Sequence, residues 1–322
     1  MAGEFALIDR YFARPTPSAV LGPGDDCALL QPSPGMQLAV TTDMLVADTH
    51  FLPDTDPKNL GWKALAVNLS DLAAMGAKPR WVTLAGALPA VDEAWIGKFA
   101  EGFFACASEY GVDVVGGDTT RGPLNLCVTA MGEVAPGQAL RRDGAQPGDQ
   151  IWVSGRPGLA SLGLALLQGR IELPEPWPRL CIGALEKPRP RVALGLALRG
   201  VASAAIDVSD GLLADLAHIA ERSGCAANVK LVQLPHLPKG ESYDAVLRKM
   251  ALECQLTGGD DYELCFTAPF AQHLALGRIA AELELPLWCI GEMTAGPAGT
   301  VTVLDPDDKP VEFDSKGYDH FA

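Results

Sequence analysis

Apolar positions along this chain switch repeatedly between a spacing of two and a spacing of three to four, so strands and helices are predicted to alternate. CALLQ (27–31) and QLAVTTDML (37–45) read as strands joined by the turn PSPG. DPKNLGWKALAVNLSDLAAMG (56–76) reads as a long helix capped by Asp56, with Pro57 at its first position and Gly76 and Pro79 as stop signals. RWVTLAGAL (80–88) predicts a strand, DEAWIGKFAEGFFACASEY (92–110) a helix, and VDVVGG (112–117) and LNLCVTAMGEV (124–134) two more strands. The polar, turn-rich stretch PGQALRRDGAQPGDQ (136–150) marks a domain boundary. Beyond it IWVSG, KLVQLP and ELCFTAP read as strands, and LASLGLALLQ and PFAQHLALGRIAAELE as helices. ASAAIDVSDGLLADLAHIAERSG (202–224) reads as a strand running into a helix, and VTVLDPDDKP as a hairpin. This order implies α/β or α+β layers. AVNLSDLAAM (66–75) and AIDVSDGLLA (205–214) echo each other weakly, as two related halves would.

Composition sets the class. At 322 residues the chain exceeds what one core usually organises, which predicts two domains, 1–137 and 138–322. A hydrophobic fraction of 48% excludes a disordered chain. With 25 Lys and Arg against 40 Asp and Glu the net charge is −15, which argues against nucleic acid as a partner. It also means that an acidic site holds phosphates only through intervening cations. Glu4, Asp9 and Arg10 make MAGEFALIDRYF an amphipathic helix and not a signal peptide, and no uncharged apolar run reaches the length of a membrane span. A cytoplasmic protein without a membrane partner is expected. Eight cysteines without a C-x-x-C pair, such as Cys127 and Cys265 in apolar surroundings, read as buried reduced thiols.

The aspartates carry the chemistry. Carboxylates belong on solvated faces, yet here they interrupt or end apolar segments in GPGDDCALL, AVTTDML, AVNLSDLAAMG, VVGGDTTRG, AIDVSDGLL and LTGGDDYELC. Asp71 lies within a helix among Leu69, Leu72, Ala73 and Met75, with Asn68 on the same face. A charge buried there needs either protein donors or a cation. Six such sites favour the cation. Asp25 and Asp26 precede a predicted strand, and Asp43 ends one, beside Thr41 and Thr42. Asp118 follows two glycines that let backbone N–H groups approach a phosphate. Asp207 ends a strand, and Ser209, Asp210 and Gly211 open a helix whose amino end favours anions. Oxygen-only ligands suit magnesium, and magnesium bridging phosphate oxygens is a device of phosphoryl transfer. The P-loop and protein-kinase signatures are both missing.

Taken together, GEFALIDRYF, GDDCALL, TTDML, WKALAVNLSDLAAMGA, GGDTTRGPL, ALRRDGAQPGD, AIDVSDGLLADLAHI, GGDDYELCF and KGYDHF resemble the thiamine-monophosphate kinases of the aminoimidazole-ribonucleotide-synthetase superfamily, in order from residue 3 to 321. The resemblance implies two α/β domains, a homodimer formed through the amino-terminal sheets, and ATP bound in the cleft between domains. It implies direct transfer of the γ-phosphoryl group to thiamine phosphate, making thiamine diphosphate without a phosphoenzyme. The implied magnesium ligands are Asp26, Thr41, Thr42, Asp43, Asp71, Asp118, Asp207 and Asp210. The implied ATP contacts are Gly117, Asp118, Arg142 and Ser209, with Tyr110 at the adenine; His50, Glu263 and Tyr318 fall to thiamine phosphate. The chain departs from the family at Asp260, where GGEDYEL is usual.

The residues alone leave alternatives open. A terminal Tyr often simply packs, Glu263 could be an exposed strand residue, His50 a loop histidine, and Arg141 with Arg142 a solvated pair. A tyrosine face and a carboxylate would both attract a cationic thiazolium. Because the attacking group is already an ionised phosphate oxygen, catalysis needs no side-chain nucleophile, only alignment of two anions and neutralisation of charge. Rival readings are other ATP-dependent members of the superfamily, a metal-dependent phosphohydrolase, and a non-catalytic cation binder. The last lacks D-x-D-x-D-G calcium loops. Hydrogenase maturation proteins end in a reactive cysteine where this chain has KGYDHFA, and a selenophosphate synthetase wants a lysine beside a nucleophilic cysteine, which Cys27 lacks.

Overall fold

The computed structural model describes residues 4–237, 245–313 and 317. It divides into two units: Met1–Leu72 with Ala77–Gly137 and Glu186–Val192, and Ala73–Gly76 with Gln138–Leu185 and Ala193–Ala322.

In the first unit α1 (Glu4–Leu7) runs into a π-helical turn, and is followed by β1 (Gln37–Val46), α2 (Pro57–Ala74), β2 (Lys78–Leu88), α3 (Glu93–Tyr110), β3 (Asp113–Arg121) and β4 (Asn125–Val134). The sheet order is β1-β4-β2-β3, antiparallel except for the β2/β3 pair. Along β4, Leu126, Val128 and Ala130 are buried and Cys127, Thr129 and Met131 half-buried, the alternation of a sheet with one dry face. On β1 the outward positions Leu38, Val40 and Met44 are exposed. Every residue of α2 from Leu60 to Ser70 is buried, Lys63, Asn68 and Ser70 among them. Asp56 Oδ1 accepts the Lys58 N–H at 2.8 Å, the cap expected from sequence. Asp92 caps α3 through Ala94 and Trp95, and Gly111 closes it in the left-handed region.

The α2–α3 crossing depends on two glycines. A Cβ at Gly61 would overlap the Phe99 carbonyl, and one at Gly102 the Lys58 carbonyl, so backbone meets backbone. Glu186–Val192 is strapped onto this unit. Trp62 Nε1 donates to Pro188 O at 2.7 Å, and Lys187 Nζ lies 4.3 Å from the centre of the Trp62 ring.

The second unit contains β5 (Gln150–Ser154), α4 (Leu159–Leu167), α5 (Trp177–Glu186), α6 (Val192–Ala197), β6 (Ala204–Asp207), α7 (Leu212–Ser223), β7 (Ala226–Lys230), α8 (Ala245–Thr257), β8 (Leu264–Ala268), α9 (His273–Glu282), β9 (Leu287–Thr294), β10 (Val301–Leu304) and β11 (Pro310–Val311). Among the described residues its sheet runs β11-β10-β7-β9-β5-β8-β6, parallel only between β7 and β10. The face of α7 carrying Leu212, Leu216 and Ile219 closes a core with Ile151, Val153, Ile206, Val229 and Ile290. A smaller cluster joins Leu162, Cys181 and Ala251.

Several expectations are corrected. CALLQ forms no strand. Its one ladder contact is the isolated Leu21–Leu29 bridge, because Gly22, Pro23, Gly24, Pro32 and Pro34 crowd its flanks. KLVQLP is a 3-10 turn over Leu231–Gln233, and the strand lies just before it, in AANVK. β1 and β3 continue past Asp43 and Asp118, which therefore lie within strands rather than after them. The two echoing segments differ: AVNLSDLAAM is continuous helix, while AIDVSDGLLA is strand, loop and helix. Cys27 is exposed, unlike the buried Cys106, Cys181, Cys225 and Cys265. Among the described residues no helix is long and apolar enough to cross a membrane.

Alanine at Gly61 or Gly102 improves helix propensity by about 1 kcal/mol, but the overlap is with carbonyls that cannot rotate away, and overpacking costs about 1–3 kcal/mol. Each substitution is expected to lower stability by about 1–2 kcal/mol net, read as a shift in urea midpoint at unchanged slope.

Candidate functional site

In the first unit two acidic motifs meet where β1 faces α2. Thr41 and Asp43, two residues apart, share one face of the strand, and Asn68 and Asp71, three apart, share one face of the helix. The Thr41 hydroxyl donates to Asp71 Oδ2, and the Asp43 N–H donates to Asn68 Oδ1 at 3.0 Å. Asn68 is held in turn by donating to Ala64 O at 3.1 Å. The Thr41 hydroxyl, the Asp71 carboxylate and the backbone of Asp43 are thereby tied together across about 30 residues of chain. Thr42 does not join them with its hydroxyl, which lies 2.9 Å from Thr129 Oγ1 on the other face of the sheet.

The other first-unit candidates fall elsewhere. Asp26 is exposed in the segment before β1, and Gly117 and Asp118 are exposed on β3. The register between β2 and β3 slips at Val82/Thr83, and a Cβ on Gly117 would overlap the Leu84 carbonyl of β2. This glycine is required by strand packing, whatever it does for a ligand. His50 sits in a turn after β1, where its Nδ1 accepts the Val46 N–H at 3.0 Å. The proton of the neutral ring is thus placed on Nε2. Tyr110 packs edge-on to Trp62 with centroids 6.3 Å apart. Burial raises its phenol above the usual range, with Cys106 and Glu109 adding and Arg191 and Arg189 opposing.

In the second unit the segment after β6 is fastened to the GGDDYEL loop by backbone bonds. Asp260 N donates to Ser209 O at 2.8 Å, Tyr262 N to Val208 O at 2.9 Å, and Val208 N to Glu263 O at 2.8 Å. Asp260 (φ 73°) and Tyr262 (φ 52°) are left-handed, a conformation that costs a non-glycine residue about 1–2 kcal/mol. The carboxylates here are dry: Asp207 is 4%, Asp261 8% and Glu263 7% exposed. Asp261 accepts the Gly158 and Ala160 N–H groups at 2.6 and 3.1 Å, at the start of α4. Glu263 Oε2 accepts the Ser154 hydroxyl at 2.5 Å. Arg142 is exposed, with its carbonyl accepting from Ser223. Gly317 lies against Asp210 and Ala214, while Tyr318 lies outside the described residues.

Sequence reasoning missed Asp215. Its Oδ2 accepts the N–H groups of Ser209, Asp210 and Gly211 at 3.1–3.2 Å, so donors expected to greet an anionic ligand are taken by the protein. The Ser209 side chain is left as that segment's candidate contact. The signal was present: Asp215 falls on the apolar face of α7, one position before Leu216 and three after Leu212. Ser154 was passed over for the same reason, as a polar residue at the end of the apolar strand QIWVS.

Among the described residues no group of three or more His, Cys, Asp or Glu side chains is placed to hold a metal ion. The donor set around Asp43 and Asp71 is all oxygen, with a threonine hydroxyl and an amide in support, which fits a hard cation such as magnesium better than a soft one.

The family model for AIR synthase related protein, N-terminal domain, matches residues 24–134, and that for the C-terminal domain matches 146–304. Thiamine-monophosphate kinase of Salmonella typhimurium is 49% identical over 328 aligned residues, 99% of this chain and 98% of that protein. The crystal structure of thiamine-monophosphate kinase from Stenotrophomonas maltophilia superposes with a TM-score of 0.86 at 51% identity, covering 96% of this chain and 98% of that one. A structure of AaThiL complexed with AMPPCP and TMP superposes with a TM-score of 0.76 at 30% identity, covering 99% and 97%.

Burial pushes Asp215 from 3.8 up to about 7, the charge of Asp210 adding and the three N–H donors opposing. Burial likewise raises Asp261 well above the carboxylate range, against its two N–H donors. Within that window the folded chain holds protons that the unfolded chain has released, so stability falls as pH rises through it and levels off above the folded value. In cation-free buffer the urea midpoint is expected to fall between about pH 5 and pH 7, and Asp215→Asn to flatten that slope.

Proposed function

Because the chain belongs to the thiamine-monophosphate kinase family, we propose that it phosphorylates thiamine phosphate at the expense of ATP, yielding thiamine diphosphate and ADP. The observation that carries this reading is the junction of β1 with α2, where the Thr41 hydroxyl bonds Asp71 and the Asp43 N–H bonds Asn68. It rebuilds from two distant motifs an oxygen-rich corner suited to the cation that a nucleotide needs in a chain of net charge −15. The family membership, over nearly the full length, supplies the substrates.

In this reading Thr41, Asp43 and Asp71 hold magnesium in the first unit together with Asp26 and Asp118, and Asp207 and Asp210 do so in the second. Thr42 contributes by its backbone alone, since its hydroxyl is engaged with Thr129. Bound magnesium would reduce the repulsion between the two phosphates and neutralise charge developing on the transferred group. Gly117, Asp118, Arg142, Ser209 and Tyr110 contact ATP. Arg142 is the cationic member, and its exposed guanidinium suits a phosphate clamp. His50, Glu263 and Tyr318 receive thiamine phosphate, with the carboxylate of Glu263 opposite the positive thiazolium. The acceptor oxygen attacks directly and in line, so no side chain becomes phosphorylated. The exposed row Leu38, Val40 and Met44 on β1 supports a homodimer formed through the outward face of that sheet.

Purified chain with ATP, magnesium and thiamine phosphate is expected to release thiamine diphosphate and ADP in equal amounts, measured by thiochrome fluorescence and a coupled ADP assay. ATP hydrolysis without thiamine diphosphate would transfer the assignment to a phosphohydrolase. Asp71→Asn is expected to keep its fold by circular dichroism and to lose at least about 100-fold in kcat, the scale of removing one electrostatic stabiliser. Wild-type turnover in that variant would make Asp71 a structural residue.

A further inference from the structure

Glu263 is held by a pair of residues to which no role has yet been given. Ser154, at the end of β5 and fully buried, donates its only hydroxyl hydrogen to Glu263 Oε2 at 2.5 Å, and its oxygen accepts the Leu264 N–H at 2.9 Å. With donor and acceptor both engaged, the serine has one rotamer available and the carboxylate one orientation. The next residue, Gly155, is left-handed at φ +59°, and a side chain there would overlap Glu263 Oε1. The second carboxylate oxygen therefore occupies the volume that a Cβ would fill. The Gly155 carbonyl in turn accepts Trp288 Nε1 at 2.9 Å, so the glycine cannot shift without breaking an indole hydrogen bond. The backbone of Glu263 itself completes the frame, since its carbonyl accepts the Val208 N–H.

We propose that Ser154 and Gly155 are positioning residues that orient the Glu263 carboxylate toward the cationic ring of the substrate and so set the preference for a positively charged acceptor. This rests on the reading of the chain as a thiamine-phosphate kinase. A rotating carboxylate would meet a ring cation on average, whereas a clamped one meets it at one place, and pre-organisation converts a weak ion pair into discrimination. Serine is suited to the task because it is a hydroxyl of minimal volume in a fully dry position. Glycine is the one residue that satisfies both the positive φ and the overlap with Oε1.

The experiment uses the full chain as the unaltered protein, Ser154→Ala, Ser154→Thr and Gly155→Ala, with KM and kcat for each substrate, a melting curve for each variant, and inhibition by a phosphorylated thiazole whose ring nitrogen is unalkylated and uncharged. Ser154→Ala is expected to raise KM for thiamine phosphate by about 10-fold or more, the loss of a hydrogen bond to a charged group, with KM for ATP unchanged. Binding of the uncharged thiazole should change far less, so that the preference for the cation narrows. Ser154→Thr, which keeps the hydroxyl, should recover the wild-type preference, and Gly155→Ala should lose it. If either alanine variant fails to fold, the threonine variant together with the remaining one still decides the matter. Equal changes in KM for both substrates, or an unchanged preference for the charged ring in folded variants, overturns the inference while leaving the kinase reading intact. Absence of thiamine diphosphate from the unaltered protein overturns both.

Discussion

A carboxylate taken out of water must be met by donors or by a cation, and both units of this chain are arranged around that requirement. In the first, Asp71 is met by the Thr41 hydroxyl, which draws a strand and a helix together at a corner made of oxygen. In the second, Asp215 and Asp261 are met by backbone N–H groups, two or three apiece, and these bonds shape the loops that present Asp207, Asp210 and Glu263. The chain's net charge of −15 gives both units an excess of negative potential around these networks.

Much of the fold could be read from the chain because the strongest local signals coincide with real ends. Asp56 with Pro57 opens α2, and Asp92 and Gly111 bracket α3, where capping chemistry is local and nothing distant overrides it. Strands were harder. CALLQ has the composition of a strand but no partner, since the prolines and glycines around it deny a ladder. LWCIGEMT, central in its sheet as β9, carries Gly291, follows Pro286 and drew no assignment, although its pairing with β5 and β7 holds it in place. Pairing partners lie far away in sequence, and a single strand does not announce them.

The site was legible in its residue types more than in its geometry. Aspartates inside apolar runs marked motifs, and two of these meet where Thr41 bonds Asp71 and the Asp43 N–H bonds Asn68. Alternation could have shown that Thr41 and Thr42 turn to opposite faces, because strand side chains do so by rule. The work of the glycines was less readable. Gly117 was read as a phosphate approach, while its immediate surroundings are the carbonyl of a neighbouring strand. The amino end of α7 was read as an anion site before Asp215 was seen to claim its donors. A polar residue in an apolar pattern signals a buried network, but not whether that network serves a ligand or the chain itself.

Asp260 brings a last consequence. It occupies a left-handed position, which aspartate tolerates better than most residues and glutamate tolerates poorly. Shortening the acid by one methylene keeps the charge and relieves the backbone beneath it. The position therefore trades reach against ease: a glutamate there would extend one carbon further at the cost of conformational tension, and the aspartate is the relaxed alternative.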